Sequence, residues 1–212
     1  MYIADTGAIR KITLGGTISI LAGSPHGNEP HPDDSGLPYF KNGRGSRAVF
    51  LSANAIAVDS SGNVYVADSY AGRMDGQLVG LGLLREVSAA GAVHTVAGTL
   101  NYNGTDFDGV GADASFSELS GVAVSPDGSV YVTEPDAGSV RKITRSGAVR
   151  TIWTQSIASS TGLISPSGLA ISGDKQLFIV DDFVAVAGPN KAPYWLHRMV
   201  NGELQTLCRE SR

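Results

Sequence analysis

The chain has 212 residues, with 20 acidic against 16 basic side chains and a net charge of −4, a balance that gives no global attraction for nucleic acid or an anionic membrane surface. No apolar run approaches the roughly 18–20 residues of a membrane-spanning helix, and the single cysteine, Cys208, has no partner for an internal disulfide. Gly is abundant at 27 residues while only 17% of the chain is charged, a composition that suits an all-β protein with many tight turns.

The first element is Met1-Tyr-Ile-Ala-Asp5, and the same phrase returns as Val64-Tyr-Val-Ala-Asp68, Val130-Tyr-Val-Thr-Glu134 and Leu177-Phe-Ile-Val-Asp181. Each copy predicts a strand, here called strand b. A turn then leads to strand c, read at Ala8–Thr13, Leu83–Ser88, Ser139–Thr144 and Leu196–Val200. A Gly turn follows, at Gly15-Gly16, Gly91, Gly147 and Gly202, and reverses the chain into strand d at Thr17–Leu21, Val93–Val96, Val149–Ile152 and Glu203–Leu207. Three copies also carry an upstream apolar strand a and a Gly or Asp turn: Ala55-Ile-Ala-Val-Asp59, Gly121-Val-Ala-Val124 and Gly168-Leu-Ala-Ile171. Period-2 patterning between short turns makes every copy a four-stranded antiparallel meander.

The spacing between copies exceeds the typical 40 to 45 residues or so of a compact four-stranded blade. The excess lies in four insertions: Ser24 to Leu51 and Thr99 to Leu119 between d and the next a, and Ser69 to Gly82 and Asp182 to Trp195 between b and c. Meanders that cannot bury two faces alone stack around a channel, so the expected fold is an all-β propeller, incomplete or open. It is read as one domain over 1–212, with blades at about 1–23 (lacking strand a), 52–98, 119–153 and 165–207. The d-to-a and b-to-c connections of such a propeller emerge on one face. Loops held by a rigid scaffold are where binding usually resides.

The strings Ala53-Asn-Ala-Ile-Ala-Val-Asp-Ser-Ser-Gly-Asn-Val-Tyr-Val-Ala-Asp68 and Asp108-Gly-Val-Gly-Ala-Asp-Ala-Ser-Phe-Ser-Glu-Leu-Ser-Gly-Val-Ala-Val124 resemble NHL-repeat β-propellers. A second loop of the same kind is visible at Gly43-Arg-Gly-Ser-Arg-Ala-Val-Phe-Leu51. The resemblance covers nearly the whole chain and implies the propeller fold. It leaves function open among interaction modules, RNA-binding modules, extracellular sensor domains and a few enzymes. Members commonly have about six blades, so the chain is expected to be part of a longer propeller, or an open array completed by another copy or a partner.

The repeated acids suggest a ring of carboxylates, yet each has a basic or polar residue in strand c: Asp5 with Arg10, Asp68 with Arg85, Glu134 with Arg141 and Asp181 with His197. These are read as structural pairs. The cluster His26, Glu29, His31, Asp33 and Asp34 carries ligand-type side chains in a Pro-rich stretch that has no regular element to converge them on a metal. The loop at Asp106–Asp113 lacks the alternating ligands and closing Glu of a calcium hand, and no cofactor motif is present. Binding residues are therefore expected on the loop face, at His31, Asp33, Arg44, Arg47, Arg73, Tyr102, Asp106, Tyr194 and Trp195. Lys41, Arg44, Arg47 and Arg73 make at most a modest basic patch.

The functional expectation is a non-enzymatic recognition or assembly scaffold that binds a protein or a glycan, with self-association through open blade faces. The alternative is a fragment of a divalent-cation-dependent propeller hydrolase or lyase, which needs polar donors on several channel-facing strands; these strands are apolar, with Asn54, Asp59 and Ser167 as polar neighbours. The sequon at Asn103 is a possible glycosylation site and leans the expected compartment towards the secreted side over the cytoplasm.

Overall fold

The computed structural model describes residues 1–25, 38–74, 77–100, 106–154, 163, 165–182, 194–200 and 202–209. These residues form four antiparallel sheets in chain order. Blade 1 holds β1 (Tyr2–Asp5), β2 (Ala8–Ile12) and β3 (Ile18–Gly23). Blade 2 holds β4 (Gly43–Arg44), β5 (Ala53–Val58), β6 (Val64–Met74), β7 (Gln77–Val87) and β8 (Ala92–Ala97), in spatial order β5-β6-β7-β8-β4. Blade 3 repeats that order with β10 (Val122–Val124), β11 (Val130–Glu134), β12 (Ser139–Ile143), β13 (Ala148–Thr154) and β9 (Gly109–Val110). Blade 4 holds β14 (Pro166–Ile171), β15 (Leu177–Asp182), β16 (Tyr194–Val200) and β17 (Glu203–Arg209). The fold is a β-propeller of meander blades, with β5, β10 and β14 adjacent along the inner side.

The Tyr-Val-Ala-Asp phrase owes its unbroken apolar character to this stacking. Side chains alternate across a strand, and strand b lies between two neighbouring blades. Val64 and Val66 therefore pack with Ile9, Ala22 and Phe50 towards blade 1, whereas Tyr65 and Ala67 pack with Phe116, Val130 and Val132 towards blade 3. Blade 3 does the same: Val130 and Val132 face blade 2, and Tyr131 joins Val140, Leu177 and Ile179 towards blade 4. Every blade interface is a layer of buried aliphatic and aromatic side chains, each contributing about 1.5–3 kcal/mol when fully buried.

Two parts of the chain that read as loops are β-structure. The b-to-c insertion of blade 2 prolongs β6 and β7 as a two-stranded ribbon, with pairs running outward from Ser69↔Gly82 and Tyr70↔Leu81 to Met74↔Gln77. The d-to-a crossovers add a fifth strand to the blade they enter, β4 against β8 and β9 against β13, so the outer edges of those blades are paired. Each crossover then makes a single 3₁₀ turn, Gly45–Arg47 or Gly111–Asp113, and sends a Phe inward. Phe50 is 1% exposed and Phe116 is 2% exposed.

Each Phe rests on a glycine that ends the preceding strand d. At Gly98 (φ +102) an added Cβ would lie 2.9 Å from the Phe116 ring and 2.8 Å from the Gly82 carbonyl oxygen. Gly23 (φ +84) repeats the arrangement beneath Phe50. Backbone conformation and close approach both demand glycine there. Gly98→Ala is expected to cost about 1–3 kcal/mol in urea unfolding, and an unchanged midpoint would show that the contact yields freely.

Candidate functional site

The acids that end strand b do not converge on a common centre; each is drawn into its own blade. In blade 2, Asp68 and Arg85 are both wholly buried and meet at 2.8 Å through Nη1. The second carboxylate oxygen of Asp68 accepts the Ser52 N–H at 2.9 Å. Nη1 of Arg85 also donates to the Val49 carbonyl at 3.3 Å, and Nη2 donates to the Lys41 carbonyl at 3.1 Å and to Asn42 Oδ1 at 3.0 Å. The guanidinium lies over Phe40 at 5.1 Å and Phe50 at 5.4 Å.

Blade 3 builds the same clamp from different residues. Arg141 Nη1 donates to Glu134 Oε2 at 3.0 Å, and Nη2 donates to the Phe107 carbonyl at 2.9 Å and Asp108 Oδ1 at 2.8 Å, with the guanidinium 5.2 Å from Phe116. Ser139 Oγ donates to Glu134 Oε2 at 2.6 Å, and Glu134 Oε1 accepts the Ser117 N–H at 3.0 Å. Thr151 of β13 donates to Asp108 through both N–H and hydroxyl. A buried Arg is costly unless its donors are satisfied, and here the crossover supplies acceptors to Nη1 and Nη2, while the Nε of Arg85 and of Arg141 has none among the described residues. The clamp therefore fastens each crossover to strands b, c and d at once.

The outer blades depart from this pattern. Arg10 Nε donates to Asp5 at 2.7 Å, and the two side chains are 31% and 42% exposed. In blade 4 the pair is His197 and Asp181, 3.7 Å apart and 1% exposed each. Thr206 Oγ1 lies 3.1 Å from His197 Nδ1, and the Ser165 N–H donates to Asp181 at 2.6 Å.

Charge behaviour follows burial and partners. Desolvation pushes the Asp68 carboxyl up to about 6 against the pull of Arg85, and the same desolvation lowers the Arg85 guanidinium. Burial also works against ionisation of Asp108, but hydrogen bonds from Arg141 and Thr151 outweigh it and hold the carboxyl below its ordinary range. Asp106 is an exposed residue whose carboxyl end is desolvated; that, with the nearby Glu134 charge, pushes it up to about 6.

Of the residues expected to bind on the loop face, the described side chains, Arg44, Arg47, Asp106 and Trp195, belong to three different blades. Arg44 and Arg47 are exposed in the crossover at the outer edge of blade 2. Asp106 stands beside blade 3, and Trp195 is half-buried within β16 with its ring 5.8 Å from His197. Arg73 lies on the outer part of the ribbon; its side chain and that of Tyr194 fall outside the described residues, as do His31, Asp33, Tyr102 and Asn103. Among the described residues no group of three or more His, Cys, Asp or Glu side chains is arranged to hold a metal ion.

Two cavities escaped the sequence reading because short turns from separate blades build them. One of about 280 Å³ lies among the a-to-b turns of blades 2, 3 and 4, lined by Asp59, Ser60, Ser125, Pro126, Ser172 and Arg145 among others. A neighbouring one of about 220 Å³ runs between blades 2 and 3 along Asn63, Tyr65, Glu86, Thr144 and Arg145. Both open on the face opposite the long insertions. Their walls are set by the repeat: Asp59 accepts the Ser61 and Asn63 N–H groups at 2.9 and 2.8 Å, and the Ser129 N–H holds the Asp127 carboxyl down to about 2.

Two measurements probe the clamps. Arg141→Met strands the buried Glu134 charge and is expected to lower unfolding free energy by about 3–5 kcal/mol, with much of the loss recovered in Arg141→Met/Glu134→Met; a double variant no better than the single would contradict the pairing. For Asp68 the folded value of about 6 stands above the ordinary 3.8, so the folded state holds this proton more tightly than the unfolded chain. Its contribution is fully present below the ordinary value and is lost as pH rises through about 6. Urea unfolding between about pH 4 and 7 is expected to show this decline with wild type and a flatter dependence with Asp68→Asn.

No protein-family profile matches the chain. It is similar to teneurin-3 of Danio rerio, 28% identical over 151 residues that make up 66% of this chain and 5% of that protein. It is also similar to teneurin-1 of Homo sapiens, 26% identical over 159 residues, 70% of this chain and 5% of that protein. The chain thus spans about one twentieth of the length of these relatives. Among solved structures, regucalcin, a calcium-binding protein of Agrobacterium tumefaciens, matches with a TM-score of 0.55 at 12% identity over 98% of this chain and 55% of that one. A catalytically inactive virginiamycin B lyase of Staphylococcus aureus with quinupristin matches with a TM-score of 0.52 at 14% identity, covering 97% and 58% of the two chains. At such identities the likeness is one of fold, and the fold is the β-propeller.

Proposed function

We propose that the chain is an NHL-type propeller segment acting as a non-enzymatic recognition scaffold, and that it binds a protein or glycan through the face from which its long insertions rise. The observation that carries this reading is the ribbon. β6 and β7 are 11 residues each, where the corresponding strands β11 and β12 of blade 3 have 5 each. The extra length forms a paired projection on one face.

The root of the ribbon is braced against the neighbouring crossover. The Gly82 N–H donates to the Phe116 carbonyl at 3.2 Å. An added Cβ on Gly80 would meet the Glu118 nitrogen at 2.9 Å, and one on Gly82 would meet the Leu119 side chain at 2.8 Å. Glycine at both positions lets the ribbon lie directly on the crossover, which is in turn held by Arg141. A projection anchored in this way presents a preformed surface, and preorganisation lowers the entropy lost on binding.

The test is a binding screen of the purified protein against arrayed glycans and a panel of extracellular proteins. A variant in which residues 71–80 are replaced by Asn-Gly, so that a tight turn closes the strands after Tyr70 and before Leu81, is run in parallel. The expected outcome is a ligand that the trimmed variant binds about tenfold or more weakly with its melting temperature near that of wild type. Binding indifferent to trimming would remove the ribbon from the proposal. Chelator-sensitive turnover of an ester, lactone or glycosidic substrate would favour the hydrolase or lyase reading instead.

A further inference from the structure

The cleft between blades 2 and 3 on the turn face joins two side chains at which the repeat is broken. Strand b of each blade sets an aromatic residue across from a fixed position of strand c, as Tyr2↔Lys11, Tyr131↔Lys142 and Phe178↔Arg198. In blades 1 and 3 the Lys ammonium lies over the ring, at 6.0 and 5.7 Å. Blade 2 reverses the charge, with Glu86 across from Tyr65. The second break is in the c-to-d turn. Thr13, Ser88 and Thr144 close that turn alike, each side chain accepting the backbone N–H four residues on. The residue after each of them is Leu14, Ala89 and Arg145. Ala89 stands over Gly62 as Arg145 stands over Gly128, so the arginine is an addition to the turn and not a requirement of it.

Both side chains line the cavity of about 220 Å³, together with Asp59, Asn63, Tyr65 and Thr144. They do not pair. Among the described residues Arg145 takes part in no hydrogen bond or ion pair, and the basic group beside Glu86 is the exposed His94, whose Nε2 is 3.6 Å away. Asp59 is already engaged by the Ser61 and Asn63 N–H groups and the Asn63 side-chain amide. Tyr65, 8% exposed, senses all three charges: burial, then Glu86 and Asp59, raise its hydroxyl above the ordinary value against the opposing pull of Arg145.

We infer that this cleft binds a small zwitterion of the α-amino acid class, its carboxylate on the Arg145 guanidinium and its ammonium on Glu86. A carboxylate alone would leave Glu86 unanswered, and an amine alone would leave Arg145 so; a ligand with both signs engages both through charge-assisted hydrogen bonds. The cavity is smaller than the roughly 300 Å³ at which drug-sized sites begin, so the occupant is a single amino acid and not a peptide. The site lies on the face opposite the insertions and takes a different ligand from the recognition reading above, so either can fail alone.

The probes are glycine, L-alanine, L-serine and L-threonine, titrated by calorimetry into the intact protein. Saturable heat is expected with at least one of them, at millimolar or tighter affinity, weakened about tenfold or more by Arg145→Ala and by Glu86→Gln. On the wild-type protein the primary amide of that amino acid, which lacks the carboxylate, and its N-acetyl form, which lacks the ammonium, are each expected to bind about tenfold or more weakly. Arg145→Ala installs the residue that blade 2 carries at the same place, Ala89, and is expected to leave the melting temperature near that of wild type. Should Glu86→Gln lose its fold, the N-acetyl form carries that half of the test. Absence of saturable heat with all of the probes at tens of millimolar, or binding indifferent to Arg145→Ala, overturns the proposal. So does an amide that binds as tightly as its amino acid, because the cleft would then hold a simple cation.

Discussion

The structure turns on the desolvated guanidinium at the centre of each inner blade. Arg85 and Arg141 are as buried as the Val and Leu residues around them, and a guanidinium in that position is tolerated only if nearly every donor finds an acceptor in fixed geometry. Strands b and c supply one carboxylate, which is too little. The remaining acceptors come from a segment that enters the blade from the previous one, so the crossover is a structural member of the blade it clamps. The geometry that satisfies the Arg also adds the edge strand and drives a Phe into the interface. One polar requirement thereby sets the position of an apolar plug and the protection of a sheet edge.

Departures from the clamp are correspondingly informative. In blade 4 an imidazole replaces the guanidinium, and two ring nitrogens cannot serve the partners that five N–H donors serve. His197 is placed between Asp181 and Thr206, while Asp181 turns its other oxygen to the Ser165 N–H. The carboxylate thus keeps its role of holding the entry to strand a even where the cation is changed, as Asp68 does with Ser52 and Glu134 with Ser117. That common role accounts for the acid at the end of strand b in blades 2, 3 and 4.

Much of the fold was legible because its cause is local. Strands b, c and d repeat in sequence, their turns carry Gly, Asn or Asp at the bends, and strand b lacks polar alternation because it is buried on both sides. The crossovers were not legible as β-structure, since β4 and β9 are two-residue strands made of Gly with Arg or Val, and nothing in such a dipeptide predicts pairing. The ribbon was hidden by its own glycines: Gly72, Gly80 and Gly82 break the strand pattern, and the last two are present because the crossover lies against them. Half of each clamp could be read as a pair of opposite charges. Its other half consists mainly of carbonyl oxygens, which every residue possesses and no sequence marks.

The two faces of the disc differ in what their sequences are free to do. On the turn face the cavities are walled by bends whose conformations the repeat dictates: Asp59 is committed to its own turn, and Arg145 lies so close over Gly128 that any side chain there would displace it. A change on that face disturbs a hairpin. On the opposite face the backbone beyond each strand b is released from the repeat, and blade 2 uses that release to build a ribbon while blade 3 closes the same connection with a short turn. Because the clamps fix the roots of these connections, their outer parts can vary without loosening the propeller. Sequence is therefore free to vary on the insertion face, and the repeated acids, which first suggest chemistry, help to keep that face in place.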